Sequence, residues 1–267
     1  MIALGPLVKH HLKVRLEYRA SFLFSLLLHP LVMLLTTSMF KGIYAHHGLE
    51  SLLGYSLGQM VWYFGASHFF YYLVWNMVDK ELSDKVLHGR MDQQLVRPHS
   101  VLTWEFAQLV SNKLLSLLFE FSPVFAIYAL IWFPDFLSLR GFIQYFLLTG
   151  LAMIQFFLMS FLLGVLAFRW TDVTSANVLK FIIVNLLAGV ALPIVFFPET
   201  MQALILLLPF HYLFHTPVSH LLGTADVQHW GSFLSTFAHQ SSWILLLLVL
   251  TLFTYRGSIR HFRSVGG

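Results

Sequence analysis

The stretch from Phe142 to Phe168 reads F-I-Q-Y-F-L-L-T-G-L-A-M-I-Q-F-F-L-M-S-F-L-L-G-V-L-A-F, 27 residues without one Asp, Glu, Lys or Arg. As a helix it is about 40 Å long, more than the hydrocarbon core of a bilayer requires. A helix of this length with no charged face has nothing to show to water, so its solvent is lipid.

The rest of the chain repeats the pattern. Ser21 to Phe40 and Tyr55 to Val78 are free of charge, and Leu114 to Phe133 carries only Glu120. Phe181 to Phe197 is slightly short for a span, and a sixth apolar stretch ends at Tyr255. The expected fold is therefore all-α and polytopic, with six transmembrane helices in one domain covering residues 1–267. Of the 267 residues 58% are hydrophobic and only 10% charged. A soluble domain carries about 25% charged residues, so an ordinary soluble enzyme, a disordered chain and a nucleic-acid binder are all excluded. Zero cysteines exclude disulfides, thiolate metal sites and thiol catalysis.

The charges orient the chain. In a six-span arrangement 13 basic residues fall on one side, among them Lys9, Lys13, Arg90, Arg97, Arg169, Lys180 and Arg256. Only Lys41 and Arg140 fall on the other, and the 34 residues from Glu199 to Ser232 contain no Lys or Arg. The positive-inside rule then places both termini in the cytoplasm and 199–232 outside. Residues 1–19 carry Leu4, Leu7, Val8 and Leu12 at helical spacing against Lys9, Lys13 and Arg15. That pattern fits an interfacial amphipathic helix lying on anionic lipid, or a plain basic flank.

Two segments interrupt the apolar pattern. Residues 79–100 concentrate charge: D-K-E-L-S-D-K-V-L-H-G-R-M-D-Q-Q-L-V-R-P-H-S. Asp84 to His88 suits a short helix ended by Gly89, and Met91 to Val96 a second one stopped by Arg97-Pro98. The alternative is a solvated loop. Residues 192–217 hold Pro193, Pro198, Pro209 and Pro217 among aromatic apolar stretches. Proline breaks the helical ladder, so this segment is expected to end span five, turn and re-enter the outer leaflet.

Nucleotide-binding, zinc-protease, hydrolase and dinucleotide motifs do not occur, so the chain cannot split ATP through a Walker A loop. His211 and His215, four apart, lack a third ligand at suitable spacing. Within the spans Glu120 is the one charge, and Asn76, Gln155 and Asn185 are polar positions in or near them. Such groups either line a substrate path or bond neighbouring helices. Glu105 and Lys113 lie nearer the cytoplasmic end and read as snorkelling residues.

Leu87-His88-Gly89-Arg90-Met91-Asp92 followed by Leu95-Val96-Arg97-Pro98, together with Leu192-Pro193, Phe197-Pro198, Leu208-Pro209-Phe210 and Pro217, resembles the membrane subunits of ABC-2 type exporters of the bacterial cytoplasmic membrane. The resemblance covers most of the chain. It implies a permease with no cofactor of its own, pairing with a second permease and with a cytoplasmic ATPase that holds ATP and Mg. Asp84, Lys85, Val86, Leu87, His88, Gly89, Arg90, Met91 and Asp92 would form the coupling helix, with Val86, Leu87 and Met91 filling the ATPase cleft. Arg169 and Asp172 would make a second cytoplasmic contact. Pro193, Pro198, Pro209 and Phe210 would form an outer gate. The implied function is efflux of an amphiphilic or hydrophobic substrate. The competing readings are a membrane-embedded lipid-modifying enzyme and a non-transporting assembly subunit.

Overall fold

The computed structural model describes residues 6, 8–10, 13, 19–170 and 174–259. The amphipathic stretch ahead of residue 19 thus lies almost wholly outside the described residues, as does Asp172.

Long helices dominate, and no strand occurs among the described residues. Helix α1 spans Arg19–His47 and α2 spans Leu57–Leu73. Two short helices follow, α3 (Val78–Leu87) and α4 (Met91–Leu95). Val101–Ile131 is one continuous helix, here α5, with a π-turn at Leu117–Phe121. Helix α6 covers Leu139–Val165, and the short α7 Ala167–Trp170. Thr174–Leu187 is α8. Helices α9 (Glu199–Leu207) and α10 (His215–Leu221) sit among 3-10 turns at Ile194–Phe196 and Pro209–Leu213. The last helix, α11, covers Trp230–Ile259. Among the described residues three helices, α5, α6 and α11, are long and apolar enough to cross a membrane. Helix α8 is apolar but shorter.

Local chemistry sets the boundaries. Ser56 and Gln59 form a reciprocal capping box at the start of α2. Ser100 caps α5 through the Thr103 amide, and Ser138 caps α6 through the Gly141 amide. Three prolines of the outer segment each open a new element, and the fourth, Pro217, lies in the first turn of α10. Pro193 and Pro198 directly precede a 3-10 turn and α9, and Pro209 is the first residue of the next turn. In the first turn of a helix a missing N–H costs nothing. The π-turn in α5 lies just ahead of Pro123, where the Ser122 hydroxyl donates to the Leu117 carbonyl at 2.8 Å.

Two helices depart from the sequence expectation. The third apolar helix starts at Val101 rather than Leu114, because the interrupting charges are satisfied within the fold. Glu105 is buried and bonded to Lys85 and Gln94. Lys113 donates to the Tyr71, Tyr72 and Trp75 carbonyls, the open C-terminal end of α2. Neither residue snorkels. The fifth helix ends at Leu187, ten residues before Phe197, at a turn through Gly189 with φ +82°. A side chain there would strain the backbone and strike the Tyr63 hydroxyl at 2.9 Å.

Helix α6 is the hub, packing against α3, α10 and α11. Two cores form around it. One is aromatic, with Trp62, Tyr63, Phe69, Phe70, Tyr128, Phe156 and Phe214 in edge-to-face and tilted contacts. The other lies at the end bearing α3 and α4, and joins Val78, Leu82, Val86 and Met91 to Val101, Phe157 and Phe161.

Polar side chains of α6 hold the proline-rich segment in register. The Gln155 amide donates to the Pro209 carbonyl at 2.7 Å, and the Gln144 carbonyl bonds His220 at 2.8 Å. Gln240 of α11 donates to the Tyr212 carbonyl at 3.3 Å. Residues 209–220 therefore run alongside α6 between the levels of Gln155 and Gln144, about 16 Å at helical rise.

Candidate functional site

The charged segment 79–100 is not a solvated loop. Helix α3 extends from Val78 to Leu87, and His88 and Gly89 end it, Gly89 with φ +64°. Leu82, Val86 and Met91 are buried in the second core. Each such burial stabilises the helix pair by about 1.5–3 kcal/mol. Gly164 of α6 permits the contact. A Cβ on it would lie 2.8 Å from Leu82 Cδ1 and 3.0 Å from Asp79 Cα.

Two ion pairs fasten the ends of α3 to different helices. In its first turn, Asp79 Oδ1 lies 2.7 Å from Lys180 Nζ of α8, and both side chains are almost fully buried. Asn177 donates to the other oxygen of Asp79 at 2.6 Å. Lys180 also donates to Ser160 Oγ of α6 at 3.2 Å and lies over the Trp75 and Phe156 rings. In the last turn, Lys85 Nζ reaches Glu105 Oε1 of α5 at 2.6 Å. Gln94 of α4 donates to the same oxygen. One carboxylate thus ties both short helices to the base of α5.

A buried pair pays a desolvation penalty that only good geometry and further hydrogen bonds offset. Asp79 and Lys180 have both. Their value lies less in net stability than in position, because the pairs fix α3 relative to α5, α6 and α8. Glu81, on the rim between them, reaches the surface, yet partial desolvation raises its carboxyl above the usual range, with Glu105 adding to the rise.

The sequence-derived coupling residues divide into two sets. Val86 and Met91 face inward, 3% and 0% exposed, so they are part of this chain's own core and not of a partner's cleft. The reason is helical spacing: with Leu82 they form the stripe that meets α6. Leu87, His88 and Arg90 are exposed, while Asp84, Lys85, Gly89 and Asp92 are half-buried. Val96 is 84% exposed. The sequence assigns it no contact role: it follows Leu95 and precedes Arg97, and nothing in that order marks it as exposed. Asp79 and Lys180 were also missed, having been read as flanking charges. Asn177 and Lys180, three apart amid apolar neighbours, point to one helix face with a buried partner.

The remaining candidates do not converge. Asn76 is buried at the corner before α3, where its side chain accepts from the Val78 amide at 3.4 Å and its carbonyl faces Lys180 at 3.5 Å. Gln155 binds Pro209. Asn185 accepts from the Tyr71 hydroxyl at 2.8 Å. Each bonds a neighbouring element. Glu120 lies half-buried in the π-turn, next to Leu118 and Phe119, which are exposed. Arg169 belongs to α7. Pro209 is buried and Phe210 half-buried against the aromatic core, and Pro193 and Pro198 lie further along the outer segment.

An apolar cavity of about 150 Å³ lies between α2, α5 and α6, bounded by Leu73, Val110, Leu117, Phe146 and Met153, with Lys113 at its edge. A second cavity of about 250 Å³ opens beside α4.

No curated protein and no solved structure matches the chain. Residues 31–266 match the family model described as ABC-2 family transporter protein. That match takes in the short helices, the hub α6, the proline-rich segment and α11, nearly the whole described fold. The apolar helices and this match make the chain a multi-pass membrane protein and a transport component. It belongs to the ABC-2 family of transporter permeases.

Proposed function

We propose that the chain is the permease of an ATP-driven exporter in a bacterial cytoplasmic membrane, and that α3 and α4 form its coupling element. The observation that carries this reading is the pairing of an exposed contact face with a buried fastening. Leu87, His88, Arg90 and Val96 present that face, and Asp79–Lys180 and Lys85–Glu105 fix the same helices to α5, α6 and α8. A partner that moves the face must move the spans.

Helices α1, α2, α5, α6, α8 and α11 serve as the six spans, with the basic end in the cytoplasm. At 14 residues α8 rises only about 21 Å. Residues 209–220 complement it as a re-entrant element, supported by their bonds to Gln144 and Gln155. A cytoplasmic ATPase, holding ATP and Mg, supplies the energy through rigid-body closure. Two permeases pair around the path. The apolar cavity at Leu73, Leu117 and Phe146, with Lys113 beside it, supports an amphiphilic cargo.

The test is made on the complex reconstituted with its ATPase. Asp84→Lys and Arg90→Glu should leave membrane insertion unchanged and remove the stimulation of ATP hydrolysis by cargo. Unchanged stimulation in both variants contradicts the coupling role.

A further inference from the structure

The cavity beside α4 differs in chemistry from the rest of the molecule. Its walls carry Lys85, Arg90 and Arg97, the amides of Gln93 and Gln108, and the indole of Trp104, with no carboxylate among the described residues that line it. Lys85 is neutralised by Glu105 beneath, so Arg90 and Arg97 supply the excess positive charge. The Arg97 guanidinium lies over the Trp104 ring, 4.8 Å from its centre. That contact holds the guanidinium's position without using a carboxylate. A planar guanidinium pair with amide donors is suited to phosphate oxygens.

Position narrows the ligand further. Trp104 stands in the first turn of α5, which in the six-span arrangement proposed above is where that helix leaves the bilayer. Tryptophan at that level marks the headgroup layer. The volume, about 250 Å³, is below that of sites for whole drug-sized molecules, roughly 300–1,000 Å³. It suits a headgroup whose acyl chains stay outside.

We propose that this cavity binds a phosphate ester, presented there as the headgroup of an anionic phospholipid of the cytoplasmic leaflet. The site rests on the membrane orientation given above but not on the ATPase. It adds a lipid contact at the junction of α4 and α5 that shares Arg90 with the coupling face.

The test uses the purified full chain without any ATPase, so a failure of the coupling reading leaves it untouched. Native mass spectrometry counts bound phosphatidylglycerol against phosphatidylcholine, with glycerol 3-phosphate added as a soluble competitor. The expected result is selective retention of phosphatidylglycerol, weakened about tenfold to thirtyfold in Arg90→Ala/Arg97→Ala. Arg90→Lys/Arg97→Lys, which keeps the charge, should recover part of the binding and shows that the fold survives. Arg140→Ala, which removes a cation placed over Trp230 at the opposite end, should have no effect. Displacement by millimolar glycerol 3-phosphate assigns the site to a soluble phosphate ester and overturns the lipid form. Equal retention of both lipids, or retention unchanged by the double alanine variant, overturns the site itself.

Discussion

Lys180→Met should destabilise the folded chain by about 3–5 kcal/mol, because it leaves the Asp79 carboxylate buried without its cation. Asn177 alone then serves that carboxylate, and Ser160 loses its donor. The double variant Asp79→Leu/Lys180→Met removes both charges and should regain most of the loss, since apolar groups of similar volume replace buried pairs at little cost. Unfolding in detergent, followed by circular dichroism, measures both. Stability and coupling should separate in the double variant: the protein folds, but cargo no longer stimulates the ATPase, because α3 is no longer fastened to α8. A double variant as unstable as the single one would mean that the loss does not come from an unpaired Asp79 carboxylate, against the Lys180 pairing in the structure.

Glu105→Ala should act more locally. It releases Lys85 and Gln94 together, and hydrogen bonds to a charged group contribute about 1.5–3 kcal/mol each. The amides of α4 and of the last turn of α3 are expected to exchange with solvent more than tenfold faster, while those of α6 keep their protection. Hydrogen exchange with mass spectrometry resolves the two. Exchange that rises equally in α6 would mean that Glu105 holds the whole bundle and not the helix pair.

Much of this architecture is readable from apolar runs and the positions of charge. The run from Phe142 to Phe168 reappears as α6, shifted by three residues. Gly89 and Arg97-Pro98 mark the ends of two short helices because they act through backbone geometry alone. What stayed hidden depends on contacts between distant parts of the chain. Glu105 looked like a surface residue until Lys85, 20 positions earlier, was brought against it. Asp79 and Lys180 are separated by 101 positions and meet only because Gly164 lets α3 approach α6. Val86 and Met91 were assigned to a partner because the resemblance names a segment, whereas the direction of each side chain is set by the hub helix. The prolines were visible as breaks. Where residues 209–220 then run was not, since that depends on the bonds that Gln144 makes to His220 and Gln155 to Pro209.

In the proposed function the exposed face of α3 and α4 is where an ATPase pushes. The chain contains no cysteine, so a single introduced thiol reports on its own. Leu87→Cys, at a position 48% exposed, and Met91→Cys, at a position with no exposure, are to be treated in membranes containing the complex with a short cross-linker that carries a maleimide for the thiol and a photoreactive group for the partner. A covalent adduct with the ATP-binding subunit is expected from Leu87→Cys and none from Met91→Cys. An adduct from Met91→Cys, or no adduct from Leu87→Cys in a complex that still hydrolyses ATP, would contradict the proposed function.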